Sequence, residues 1–170
     1  NHYPERPLTP ENKTDAEEAL EWEKFADEEI GIHVRRLCYN TLLDHPDIVI
    51  PFFCKDGPWY GKLVMNAMFP KLSERMRELM KINQETTQIS EQKVRTGIDK
   101  IHAAMEGKEF LVGDQFSRAD LACGALLAPL ISPDKYGIDW PETMPSPLRD
   151  VVESYRPKLG WLEKLYQDYR

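Results

Sequence analysis

The sequence predicts an all-α bundle, and three observations carry that reading. Apolar residues recur at i, i+3 and i+4 along most of the chain, and no segment sustains the alternation of a half-buried strand. Glycine is sparse, nine residues in 170, and stands mostly at breaks between periodic stretches. Ser117-Arg118-Ala119-Asp120, followed by the apolar run from Leu121 to Leu127, has the spacing of a helix start.

Thr14-Asp15-Ala16-Glu17 reads as a capping box for a long first helix running to about Leu43. Its apolar stripe is Ala19, Trp22, Ala26, Ile30, Leu37 and Leu42. Pro46 and Pro51 bracket a short irregular or helical piece, and Lys55-Asp56-Gly57-Pro58 is a turn. A second helix covers about Trp59–Ile82, and Pro70 should kink or split it. A third covers about Glu85–Met105, stopped by Gly107. The motif helix runs from Arg118 to about Leu130 and is expected to be buried. The Ser117 hydroxyl can accept the N3 N–H while the Asp120 carboxylate reaches back to the cap N–H. Phe116 and Leu121 stand where a hydrophobic staple forms. Residues 132–147 form a Pro-rich loop anchored by Trp140-Pro141, and two helices of about Leu148–Tyr155 and Lys158–Tyr169 close the chain.

Composition bounds the function. A length of 170 residues suits one domain with a sizeable core. The net charge of −7 would repel nucleic acid. No stretch approaches the ~20 apolar residues of a membrane span. Cys38, Cys54 and Cys123 are scattered, form no C-x-x-C and fit a reducing, cytoplasmic setting. His2, His33, His45 and His102 show no metal-ligand spacing among themselves or with the cysteines, so no metal site is expected. His33 falls on the first helix's apolar stripe and reads as a packed, hydrogen-bonded histidine. Cys123 reads as core. A nucleophilic Cys38 would need an electropositive niche, for which Arg35 and Arg36 are close in sequence. No Gly-rich phosphate loop, G-x-S-x-G or paired-carboxylate pattern is present.

The string Phe110-Leu111-Val112-Gly113-Asp114-Gln115-Phe116-Ser117-Arg118-Ala119-Asp120-Leu121 resembles the helix-initiation motif of the C-terminal helical domain of cytosolic glutathione S-transferases, of bacterial type. Tyr3–Pro10 is similar to that family's inter-domain linker, and Arg156-Pro157-Lys158-Leu159-Gly160-Trp161-Leu162 to its closing helix. The resemblance implies a linker over residues 1–13 and a helical domain over 14–170. It also implies an N-terminal thioredoxin-like domain that is absent from this chain and would carry the catalytic Ser, Tyr or Cys. No catalytic residue is therefore expected here. The implied activity is detoxifying conjugation of glutathione, a co-substrate bound mainly by the other domain, to a small hydrophobic electrophile. A homodimer through the first two helices is implied too, with Met65, Met68 and Phe69 as exposed-looking apolar residues. Two other readings stay open: a non-catalytic interaction module, and a glutaredoxin-like thiol reductase or isomerase.

In that family the inner face of the first helix borders the inter-domain cleft. Here the stretch reads Ile32-His33-Val34-Arg35-Arg36-Leu37-Cys38-Tyr39. Arg36 and Tyr39, three apart, share a face and are the first candidates for the glutathione and substrate pocket. Arg35 is the alternative if the helix is rotated, because successive residues turn by about 100°. Either guanidinium matches a carboxylate. Tyr60 is a further pocket candidate.

Overall fold

The computed structural model describes residues 7–169, the side chain of Lys135 excepted. Of the expected linker, residues 1–6 lie outside the described residues. All the regular secondary structure of the described residues is helical, with no strand. The helices are α1 (Lys13–Phe25), α2 (Ile32–Leu42), α3 (Pro46–Phe53), α4 (Gly61–Leu79), α5 (Gln84–Ala104), α6 (Arg118–Ile131), α7 (Leu148–Tyr155) and α8 (Gly160–Tyr169).

α1 and α2 form one continuous rod, joined by a π-helical turn over Ala26–Gly31. The apolar stripe runs through the joint: Ala19, Trp22, Ala26, Ile30, Leu37 and Leu42 are all buried. The wider turn keeps Ala26, Ile30 and Gly31 on the inner side together. It touches both α5 and α6. Gly97 makes the approach to α5 possible, since a Cβ there would lie 3.1 Å from the Ile30 side chain. Fully burying side chains such as Ile30, Ile98, Ile101 and Leu127 contributes ~1.5–3 kcal/mol each before entropy is charged against it.

α6 is the central element, packed against α1, α2 and α8. Its start has the expected reciprocal cap: Ser117 Oγ accepts from the Ala119 N–H at 3.3 Å, and Asp120 Oδ2 accepts from the Ser117 N–H at 3.0 Å. The expected staple is replaced. Phe116 stacks its ring on Tyr169 with centroids 4.6 Å apart, while Leu121 is 46% exposed. The C-terminal helix thus takes the ring that a local staple would have used.

Two further expectations are corrected, and one cap is new. The N-cap of α1 is Asn12, not Thr14, because the Asn12 side chain accepts the Thr14 N–H at 2.8 Å. The second long helix is Gly61–Leu79 and continues through Pro70 unsplit. Pro70 is exposed, so water can satisfy the carbonyl deprived of its helical donor. α5 carries its own capping box, in which Asn83 accepts the Thr86 N–H at 2.9 Å.

α4 is the least embedded helix. Against the expectation of an exposed residue, Phe69 is buried against the core, and Met65 is half-buried, while Leu63, Val64 and Met68 are exposed. Trp59, just before it, is 91% exposed. No helix among the described residues is long and apolar enough to cross a membrane.

Candidate functional site

A cavity of about 340 Å³ lies where α2, α3, α6 and the 132–147 loop meet. α2 presents Val34, Arg35, Cys38, Tyr39 and Leu42 to it. Their spacing of three and four is what one helix face requires. α3 adds Val49, Phe52 and Phe53, and α6 adds Ala125, Leu126 and Pro129. The loop closes the far side with Tyr136, Ile138 and Trp140. The lining is therefore overwhelmingly aliphatic and aromatic, as in small-molecule sites.

Hydrogen bonds and ring contacts hold the loop wall in place. Trp140 Nε1 donates to the Pro133 carbonyl at 3.0 Å. Its ring meets Phe52 edge-on at 6.0 Å and leans on Tyr136 at 5.3 Å. Lys55 Nζ donates to the Gly137 carbonyl at 2.9 Å and to Asp139 Oδ1 at 3.1 Å, pinning the loop to the turn after α3. The expected role of Trp140 as a packing anchor acquires a second one, because the anchor is also a cavity wall.

The cavity holds no activated nucleophile. Burial pushes the Cys38 thiol up to about 12, so it stays protonated at neutral pH. Burial also raises the Tyr39 phenol, opposed by the nearby Arg35 guanidinium. Arg35 is the one charged residue among the described lining residues.

The structure places the other candidates elsewhere. Arg36 turns away from the cavity towards α5, where Nε donates to the Met80 carbonyl at 2.9 Å and Nη1 to Ser90 Oγ at 3.0 Å. Burial of the pairing surface against α5 claims that side chain, so Arg35, not Arg36, joins Tyr39 at the cavity. His33 Nδ1 meets the same Ser90 hydroxyl at 3.0 Å. Burial, then Arg36 and Lys93, lower its pKa and favour the neutral ring. Tyr60 stands at the head of α4, edge-on to Trp59 at 5.7 Å and outside the cavity. Cys123 is a core thiol, fully buried in α6. Among the described residues no cluster of His, Cys, Asp and Glu is placed to hold a metal ion.

Phe52, Phe53, Leu126 and Ile138 are cavity residues that sequence reasoning missed. The adjacent aromatics after Pro51 were the one local signal, since a short helix has little core of its own to fill.

A partly exposed apolar stripe, with Leu121 and Ala125 exposed and Ala122 and Leu126 half-buried, continues from the cavity along α6 towards Leu8 and Thr9. Glu23 of α1 and Arg118 of α6 form an ion pair at 2.5 Å beside it.

In comparison with known proteins, the family described as "Glutathione S-transferase, C-terminal domain" matches residues 59–141. No curated protein and no solved structure matches the chain significantly. The matched stretch runs from the head of α4 through the capped α6 to the cavity wall at Trp140. Residues 59–141, just under half of the chain, are thus similar to the glutathione S-transferase C-terminal domain, a likeness with which the all-α fold agrees.

Proposed function

We propose that this chain forms the co-substrate wall of a glutathione transferase-like protein that conjugates glutathione to small hydrophobic electrophiles. The observation that carries the reading is the apolar cavity itself, walled by Phe52, Leu126 and Trp140 and lacking an activated thiol or base. Such a cavity can bind and orient an electrophile but cannot generate a thiolate. A thioredoxin-like domain docking on the Leu121–Leu126 stripe would supply glutathione binding and lower the pKa of its thiol, so that the thiolate attacks. Burial of three free thiols suits a reducing cytoplasmic setting. The exposed side of α4 is assigned to a two-fold homodimer contact.

Titration of the chain with glutathione, and separately with a neutral aryl halide, tests the division of labour. Saturable binding of the aryl compound without micromolar glutathione binding or conjugation is expected. Saturable micromolar glutathione binding to this chain would contradict it.

The second reading is a non-catalytic interaction module. The exposed Trp59, Tyr60, Leu63 and Met68 favour it, because a contiguous apolar face marks a contact surface.

A further inference from the structure

Arg35 differs from the cations around it. Arg36 is engaged by Met80 and Ser90, Lys55 by Gly137 and Asp139, and Arg77 by Asp44 at 2.7 Å. Arg35 has no carboxylate or carbonyl partner among the described residues, and it lines the cavity. Tyr39 stands one turn further on the same helix face, and its hydroxyl also has no hydrogen-bond partner among the described residues. A five-donor guanidinium and a phenol therefore stand side by side on an otherwise apolar wall. Among the described lining residues there is no acidic group to compete for them.

We propose that the cavity selects apolar carboxylates, with the carboxylate on Arg35 and Tyr39 and the hydrocarbon body against Phe52, Leu126 and Trp140. This rests on the cavity being the co-substrate site and names the class of co-substrate it takes. The guanidinium fork matches a carboxylate bidentately, and Arg35, exposed at the rim of the cavity, can present it to a ligand whose body lies inside. Tyr39 can add an O–H donor to either oxygen. The volume of about 340 Å³ admits a single aromatic ring with a short chain. The specificity comes from contrast: a neutral analogue keeps the apolar contacts but leaves Arg35 without a partner. Glutathione also carries carboxylates, yet it offers no apolar body to Phe52 and Trp140.

Isothermal titration of the 170-residue chain with 4-phenylbutyrate, 4-phenylbutan-1-ol and glutathione tests the proposal. The carboxylate is expected to bind roughly two- to fivefold tighter than the alcohol, the range of an ion pair made with an exposed guanidinium. Glutathione is expected to bind more weakly than both. Arg35→Gln should bring the carboxylate-to-alcohol ratio close to one, and Tyr39→Phe should reduce it partway. Ala125→Trp, which fills the cavity from an exposed position, should abolish binding of both phenyl compounds. Equal affinities in the unmodified chain, or a preference that survives Arg35→Gln, would overturn the carboxylate proposal while leaving the apolar site standing. Failure of both phenyl compounds to bind would overturn the proposal together with the co-substrate reading beneath it.

Discussion

Asp120 accepts the Leu111 backbone N–H at 2.8 Å, so the cap of α6 also anchors the chain nine residues upstream. Its other oxygen receives the Ser117 N–H and the Ser117 hydroxyl, each at 3.0 Å. Asp120 is fully buried, and Phe110, Leu111 and Val112 are buried with it. One carboxylate thus satisfies two buried backbone donors and fixes the loop that delivers α6 to the core. Asp120→Ala would leave both donors unpaired and should cost about 2–4 kcal/mol, against about 1 kcal/mol for Ser117→Ala. Urea melts of the two variants decide it. Equal losses would mean that the bond to Leu111 contributes nothing.

The same carboxylate should give stability a pH signature. Burial raises its pKa above 3.8, and the hydrogen bonds from Leu111 and Ser117 oppose that rise without cancelling it. A carboxyl group with a raised folded-state pKa holds its proton longer in the native state than in the unfolded chain. Its contribution is therefore fully present below the unfolded pKa and is lost as pH rises through the folded pKa. The stability of the native chain relative to Asp120→Asn should fall as pH rises above about 3.8, then level off. A rise with pH over that window would show that the hydrogen bonds outweigh desolvation.

Arg36 should behave as a structural residue. Its two hydrogen bonds clamp α2 to the end of α4 and to α5 through Met80 and Ser90. Arg36→Met should lower stability by about 1.5–3 kcal/mol, the range for hydrogen bonds to a charged group. Affinity of the cavity for an apolar ligand should stay unchanged. Thermal melts and a ligand titration on the same variant separate the two effects. Lost affinity with undiminished stability would restore Arg36 to the site.

Self-association should run through the face of α4. Trp59, Leu63, Val64 and Met68 expose apolar surface that one helix packed on the core does not need. Sedimentation equilibrium should show a two-fold dimer, and Leu63→Glu should return it to monomer by burying an unpaired charge in the contact. A monomeric unmodified chain would contradict the assignment.

Much of this architecture was legible in the sequence because it is local. The Ser117–Asp120 cap, the break at Gly107 and the stripe from Ala19 to Leu42 depend on neighbours within a turn or two. Sequence alone does not separate Asn12 from Thr14, because both are good caps and the choice rests on where the chain enters the helix. The site was legible only to the level of the helix. Arg36 with Tyr39, at i and i+3, and Arg35 with Tyr39, at i and i+4, are equivalent pairs on an isolated helix. What separates them is distant in sequence: Ser90 and Met80 claim Arg36, while Phe52, Leu126 and Trp140 wall off the flank that carries Arg35. The pairing of Phe116 with Tyr169 was hidden for the same reason.

The most direct test of the account uses the four tryptophans as reporters. Trp140 lines the cavity, Trp22 is in the core, Trp59 is exposed beside α4, and Trp161 lies in a separate groove with His102 and Pro157. Their indole N–H signals can be followed by NMR while the nitrogen-15-labelled chain is titrated with 1-naphthalenemethanol, a neutral apolar aromatic. The account predicts that the Trp140 signal shifts saturably while those of Trp22, Trp59 and Trp161 hold still. A response centred on Trp59, or no response at Trp140, would contradict the claim that this cavity is where the protein takes its ligand.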